Sequence, residues 1–261
     1  MHDVRVFLAG AGGAIGTRLV PLLLDAGYDV FGTTRSKERA GALEAAGVKP
    51  IVINVFDAPA LSRAMVAVRP QIVIHQLTDL PRGLEPSRLP EALARNARIR
   101  SEGTRNLVAA AIEAGVRRLI AQSIAWVYAP GPEPHSEDDP LDIHAEGTRA
   151  VTVGGVVALE RFTLGSPPLA GIVLRYGQLY GPGTGKDEPA NSAPLHVDAA
   201  ASAALLAARY ARSGTFNIAE TNKYVSTDKA RRELGWAPDF RLTGGSLSGR
   251  QAAVSLAQPS S

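Results

Sequence analysis

The segment Gly10-Ala11-Gly12-Gly13-Ala14-Ile15-Gly16 directly follows an apolar run over residues 4–9 and opens a helix-like stretch over residues 19–26. Glycines spaced this way between a strand and a helix suit the binding of a dinucleotide pyrophosphate. Gly10 can make the tight turn out of the strand, and Gly13 lets the backbone approach a phosphate with no Cβ in the way. Gly16 lets the helix lie close on the sheet, while Ala14 and Ile15 begin a helix whose N-terminus offers free N–H groups and a positive dipole end. The expected ligand is therefore NAD or NADP.

A second group decides between the two. An NAD-preferring site places Asp or Glu at the end of the second strand, against the ribose 2′-hydroxyl. This chain has Thr33-Thr34-Arg35-Ser36-Lys37 there. The Arg35 guanidinium can grip a 2′-phosphate through charge-assisted hydrogen bonds, with Ser36 or Thr34 adding a neutral one. NADP is the expected cofactor, with NAD as the alternative. A metal is not expected. His135 and His144 flank Glu137-Asp138-Asp139, but their spacing matches no helical ligand pair and the segment is a proline-rich loop.

These groups need a scaffold. Gly27 is placed to end the first helix and residues 28–34 read as a second strand, which completes one βαβ unit; Pro21 inside the helix should weaken it locally. Apolar strands and amphipathic helices then alternate over residues 50–55, 60–68, 71–76, 89–114, 118–122, 151–164 and 171–175. The expected architecture is α/β, a Rossmann doubly wound parallel sheet with helices on both faces. Leu107, Ala110, Ala111 and Ala114 fall at helical spacing and read as core. Residues 181–194 turn to Gly, Pro, Asn and Lys and read as loop, and residues 242–261 as a weak helix with a frayed tail. Asp198 is placed to cap a helix over residues 199–210.

Composition narrows the class. The 261 residues are 45% hydrophobic and carry no cysteine, so a large core is available and neither disulfides nor thiolate metal sites contribute. No apolar run approaches the ~18 residues of a membrane span, and a soluble, cytoplasmic protein is expected. The net charge is only +3, with arginines scattered and few aromatics among them, which argues against a nucleic-acid face.

Further motifs carry a family resemblance over nearly the whole chain. They include Gly103-Thr104-Arg105-Asn106-Leu107, Ser123 with Val127-Tyr128, Glu137-Asp138-Asp139-Pro140-Leu141, Arg175-Tyr176-Gly177, His196-Val197-Asp198 and Glu233-Leu234-Gly235-Trp236. With the glycine turn, this order resembles the extended short-chain dehydrogenase/reductases, the group of nucleotide-sugar epimerases and dehydratases. The resemblance implies a Rossmann core over residues 1–180 and a small substrate lobe with a tail over 181–261, interleaved with the core. The lobe looks reduced, since only a short loop separates Gly183 from His196. Asn54 and Val55 match the position where relatives read the adenine; Gln76, Leu77 and Thr78 after the fourth strand and Tyr176 after the sixth are counted with the cofactor site. Ser123 matches the hydroxyl that relatives place on the reacting oxygen.

One part of the pattern is missing. Relatives use a Tyr whose proton moves as hydride moves, with a Lys four residues later that lowers its pKa and holds the ribose. Counting back from Glu160, the Tyr position falls on Thr152 and the Lys position on Val156. A Thr hydroxyl is far too weak an acid to replace the phenol and Val carries no charge. The family's Asn before the Gly-Thr pair falls on Arg100, with Asn96 the alternative register. Tyr128 is the nearest phenol to Ser123, though packing is its expected role. Three functions are compatible with this pattern. One is an NADP(H)-dependent oxidoreductase on a small organic substrate, with Ser123 orienting it. Another is a cofactor-retaining epimerase or dehydratase. The last is a redox-silent NADP-binding sensor or scaffold. The expected partner is the small-molecule substrate, with no nucleic acid and no membrane, and a homodimer is the assembly the resemblance allows.

Overall fold

A computed structural model describes residues 4–80, 86–210 and 212–242. Its first half reads β1 (Arg5–Ala9), α1 (Ala14–Asp25), β2 (Asp29–Thr34), α2 (Lys37–Ala45), β3 (Lys49–Val52), α3 (Ala58–Val68) and β4 (Ile72–His75). After it come α4 (Leu89–Arg98), α5 (Thr104–Glu113), β5 (Arg118–Ile124), α6 (Gly147–Leu164) and β6 (Ala170–Tyr176). The chain continues through β7 (Gln178–Tyr180), β8 (Pro194–His196), α7 (Val197–Tyr210), β9 (Gly214–Ile218) and α8 (Asp228–Leu234). Seven strands form one parallel sheet in the order β3-β2-β1-β4-β5-β6-β9, a doubly wound Rossmann arrangement. The order reverses direction beside β1, which puts the glycine turn at the topological switch point where such sheets bind ligands.

Strand alternation builds two cores. Val6 and Leu8 of β1 face one side, with α1 and the alanine-rich α7, while Phe7 and Ala9 face the other, with α3 and α5. Gly16 is indispensable to the first packing, since a Cβ there would lie 2.2 Å from the Gly10 carbonyl oxygen. Pro21 sits within α1, which nonetheless runs unbroken from Ala14 to Asp25. The packed face of Leu19, Val20 and Leu23 compensates for the missing N–H.

Other expectations are revised. The stretch expected as one helix over 89–114 divides: a single π turn, Ile99–Gly103, lies between α4 and α5. That turn buries both Ile99 and Arg100. Asp198 lies in the first turn of α7, but its carboxylate accepts from Arg18 Nε at 2.5 Å and from the Leu242 backbone N–H at 2.9 Å. Residues beyond 181 supply β9 to the edge of the main sheet, and β7 and β8 pair separately as a two-stranded sheet. The tail expected over 242–261 lies, after Leu242, outside the described residues.

Candidate functional site

A cleft runs along the C-terminal ends of β1, β2 and β3, lined by Gly10, Gly12, Gly13, Thr34, Arg35, Asn54 and Val55, with Gln76, Leu77 and Thr78 on the β4 side. Its floor is apolar, built from Phe7, Leu61, Ile99 and Leu107. Gly10 has φ +97°, and a Cβ on it would strike the Gln76 carbonyl at 2.7 Å, so the turn out of β1 requires glycine. Gly13 N–H donates to Gly10 O at 3.0 Å and Gly13 caps α1. A Cβ at Gly12 would meet nothing within 4 Å, so the backbone there is open for a ligand to approach. Ala14 begins α1 as expected, whereas Ile15 is buried in the core behind the turn.

At the β2 end, Arg35 is exposed along 64% of its side chain and lies 4.0 Å from Asp79. Ser36 caps α2, accepting from the Arg39 N–H at 3.3 Å and bonding Glu38. Arg39, in the first turn of α2, lines the same cleft and was not among the residues expected from sequence. It lies just after the Thr34-Arg35-Ser36 segment at the end of β2, and this proximity in sequence to Arg35 was the available signal. Asn54 Oδ1 accepts from the Phe56 N–H at 3.1 Å, and Asn106 Nδ2 donates to Val55 O at 3.0 Å and so fixes the rim from behind. Gln76 is buried; its amide donates to Tyr176 Oη at 3.4 Å, but its Oε1 accepts from no described residue. A glycine cradle, two arginines at one end and an orphaned acceptor on the wall fit a nicotinamide dinucleotide.

Beyond the glycine turn, over β4, β5 and β6, the polar groups face inward. Ser123 is wholly buried and donates to Glu160 Oε1 at 2.8 Å, which turns its hydroxyl toward α6. Glu160 is also gripped by Arg175, whose Nε and Nη2 lie 3.0 and 2.7 Å from its oxygens. Tyr128 is buried, donates to Asn217 Oδ1 at 2.6 Å and accepts from Arg175 Nη1 at 2.8 Å. Burial pushes its phenol up to about 12, so it is a poorer acid than a free tyrosine. Tyr176 donates to the Ala200 carbonyl at 3.2 Å, and burial likewise raises its phenol. The hydroxyls expected to serve chemistry are thus held in a network that joins β5, β6, β9 and α6.

On α6, Thr152, Val156 and Glu160 recur at intervals of four, on one face. Thr152 Oγ1 bonds back to Thr148 O at 3.2 Å, and Val156 is wholly buried with Ile124, Val127 and Val153. Val156, at the position the resemblance gives to the lysine, thus lies in an apolar cluster, and Thr152, at the position it gives to the tyrosine, is half-buried and bonded to its own helix. His75, at the end of β4, accepts at Nδ1 from the Leu77 N–H at 3.2 Å and pairs through Nε2 with Thr104 Oγ1 at 3.1 Å. Burial and the nearby Arg100 hold its pKa down at about 4, so the ring is neutral near pH 7. His135 pairs with Asp139 at 3.0 Å, and no group of three or more metal-ligating side chains occurs among the described residues. No helix among them is long and apolar enough to cross a membrane.

Comparison with known proteins agrees with this geometry. A curated relative, a 3-diazoavenalumate denitrifying reductase from a Streptomyces species, is 38% identical over 97% of this chain and 86% of its own length. Among solved structures, the Bordetella bronchiseptica enzyme WbmG in complex with NAD superposes with TM-score 0.72 at 20% identity, covering 92% of this chain and 90% of its own. A Stenotrophomonas maltophila UDP-glucose-4-epimerase with bound NAD superposes with TM-score 0.73 at 18% identity, over 92% and 94% of the two chains. These two likenesses concern the fold. The sequence pattern of the NAD dependent epimerase/dehydratase family matches residues 6–240, and this chain belongs to that family.

Proposed function

We propose that this chain is an NADP(H)-dependent reductase that delivers hydride to a small organic electrophile without donating a proton to it. The observation that carries the reading is the inward engagement of every hydroxyl candidate. Ser123 is bonded to Glu160, Tyr128 to Asn217 and Tyr176 to Ala200 O, and the buried Val156 stands at the position the resemblance gives to a lysine. Carbonyl reduction needs an acid near the oxygen that becomes a hydroxyl. An acceptor that is already cationic, or that sheds a neutral leaving group, needs none.

The cofactor supplies hydride when bound; the protein's residues bind and orient. Gly10, Gly12 and Gly13 present backbone to the pyrophosphate, and Arg35 and Arg39 hold the 2′-phosphate. Asn54 and Val55 meet the adenine. Ser123 acts through Glu160 to position α6 and does not touch substrate.

The denitrifying reductase among the relatives points to the acceptor class. An arenediazonium fits the site's chemistry: hydride forms a C–H bond at the ring carbon, the C–N bond breaks, and its electron pair leaves with N2. Charge balances with no proton entering or leaving, since one cation, the diazonium, is consumed and another, the oxidised nicotinamide, is formed. The test is to follow NADPH oxidation at 340 nm with N2 release, across a panel of phenolic arenediazonium acids, simple aldehydes and enones. Turnover on the diazonium acids with no turnover on aldehydes is expected. The reverse preference would overturn the reading, and tight NADPH binding with no turnover on any of them would favour a redox-silent binding protein.

A further inference from the structure

A second cavity, of about 350 Å³, lies past the ends of β5 and β9, between the loop after Tyr128, the first turn of α6 and Tyr224. The dinucleotide cleft occupies the carboxyl ends of β1 to β4, and the sheet order places β5, β6 and β9 beyond β4. The two cavities therefore share one edge of the sheet, the edge at which open α/β sheets take their ligands. A volume near the lower end for ligand pockets suits a single substituted ring better than a second nucleotide.

One side chain in this cavity is held in a fixed pose with a polar atom to spare. His135 is only 4% exposed; its ring stacks on Tyr128 with centroids 4.9 Å apart and meets Tyr224 edge-on at 5.4 Å. Its backbone N–H donates to Tyr224 O and its carbonyl accepts from the Ser226 N–H, both at 2.8 Å. Nδ1 lies 3.0 Å from Asp139 Oδ2, and the Asp139 carboxylate also accepts from the Ser136 N–H at 3.1 Å and Ser136 Oγ at 3.2 Å. These bonds, the Ser136 N–H foremost, hold the Asp139 carboxyl below its ordinary range, so it is ionised and takes the Nδ1 proton in a hydrogen bond. In the neutral ring Nε2 then carries the lone pair. Nε2 bonds to no described residue, and it is not among the partnerless side-chain atoms sealed from solvent. A pre-oriented acceptor thus opens on the cavity.

The charges of the lining suit a cationic guest. Arg149 is the one cation among the lining residues besides His135, and its guanidinium bonds Asp142 and the carbonyls of Trp126 and Tyr128, at 3.2 and 3.0 Å. Asp142 therefore offsets Arg149, Asp139 offsets His135 whether or not the ring is charged, and the Glu133 carboxylate is left over.

We propose that this cavity seats the aromatic ring of the acceptor, with His135 Nε2 accepting a hydrogen bond from a hydroxyl on that ring, so that the chain selects hydroxyaryl acceptors. The inference rests on the reductase reading above and names the group that orients the acceptor. His135 is a binding residue, and no proton has to leave the ring hydroxyl for hydride to arrive elsewhere on the ring. A ring without the hydroxyl leaves a buried acceptor unpaired, which is worth about tenfold in affinity.

Calorimetric titration of the purified chain with p-hydroxycinnamate, p-methoxycinnamate and cinnamate tests this. The hydroxy acid should bind about tenfold more tightly than the other two. In His135→Asn, whose amide can still donate to Asp139 but does not extend to the place of Nε2, the three affinities should converge. In nitrogen NMR of the wild-type chain, the His135 Nε2 resonance should move with p-hydroxycinnamate and stay in place with cinnamate, a readout that holds even where the variant does not fold. Equal affinities in the wild type, no binding of the hydroxy acid, an unmoved Nε2 resonance, or a folded His135→Asn protein that keeps the preference would each overturn the proposal. Hydroxyaryl selectivity with no NADPH-dependent turnover on arenediazonium acids would remove the reductase reading and leave the site. Turnover on those acids with no hydroxyaryl selectivity would remove the site and leave the reductase reading.

Discussion

Ser123 Oγ and Glu160 Oε1 lie 2.8 Å apart, joined by a hydrogen bond buried between β5 and α6. This bond consumes the hydroxyl that sits at the end of the fifth strand, where a reacting oxygen would otherwise be met. Ser123→Ala should therefore act on stability. Losing a buried hydrogen bond to a charged acceptor costs roughly 1.5–3 kcal/mol, which urea unfolding would read. Turnover by the folded variant should stay within a few-fold of wild type, since no bond to substrate is lost. A drop of ~100-fold or more, the scale for removal of an oxyanion donor, would place Ser123 on the substrate after all.

Arg35→Ala should weaken NADPH binding far more than NADH binding. Each charge-assisted hydrogen bond to a 2′-phosphate is worth about 1.5–3 kcal/mol, hence a loss of roughly tenfold or more. Arg39→Ala should do the same to a smaller degree, and the double variant should approach equal affinity for the two cofactors. Calorimetric titration of both variants with both cofactors would settle it. Equal losses for NADH and NADPH would sink the assignment.

Val156→Lys should not restore a conventional active site. Val156 is wholly buried in an apolar cluster, one turn before Glu160, whose charge is already matched by Arg175. An ammonium there would be desolvated and without a free carboxylate, a destabilisation of at least several kcal/mol on the usual scale for buried charge. Thermal melts should show a marked loss of stability or no folded protein. An unchanged melting temperature would mean that α6 leaves more room on that face than the packing indicates.

Stability should fall on mild acidification because of His75. Its folded-state pKa is about 4, below the ordinary histidine value of 6.5, so between those values the unfolded chain binds the proton and the folded chain does not. The contribution is complete above pH 6.5 and is lost as pH drops toward 4, at up to about 1.4 kcal/mol per pH unit. Urea unfolding at pH 7 and pH 5 should show a smaller decline in His75→Gln than in wild type. Parallel declines would mean that His75 takes up its proton in the folded state.

Much of the scaffold was legible in the amino-acid order. The glycine turn, the alternation of strands and helices, and the Arg35 position are local patterns, each set by a few neighbouring residues. The features that were not legible depend on partners distant in sequence. The direction of the Ser123 hydroxyl is decided by Glu160, 37 positions away, and the burial of Tyr128 by Asn217, 89 positions away. The π turn escaped periodicity because one extra residue in a helix leaves the apolar pattern nearly unchanged while it rotates every residue beyond it. By sequence Arg100 stands only at the position of the family's Asn, with Asn96 as the alternative register, and its burial is not foreseen. Arg39 escapes notice because an exposed basic residue in the first turns of a helix looks like any solvated charge until the cleft beside it is seen.

Asp198 joins residues from opposite ends of the chain, accepting both from Arg18, just after the glycine turn, and from the Leu242 backbone. A nascent polypeptide that has emerged only through β6 already contains every glycine of the cradle, yet its Arg18 has no carboxylate to meet. Arg18 of the first helix meets its carboxylate only once α7 has been made, and the Leu242 N–H joins that carboxylate later still, so the earliest-made helix is buttressed by elements made much later. Cofactor affinity in a series of C-terminal truncations would accordingly record how far synthesis must proceed before the site is whole.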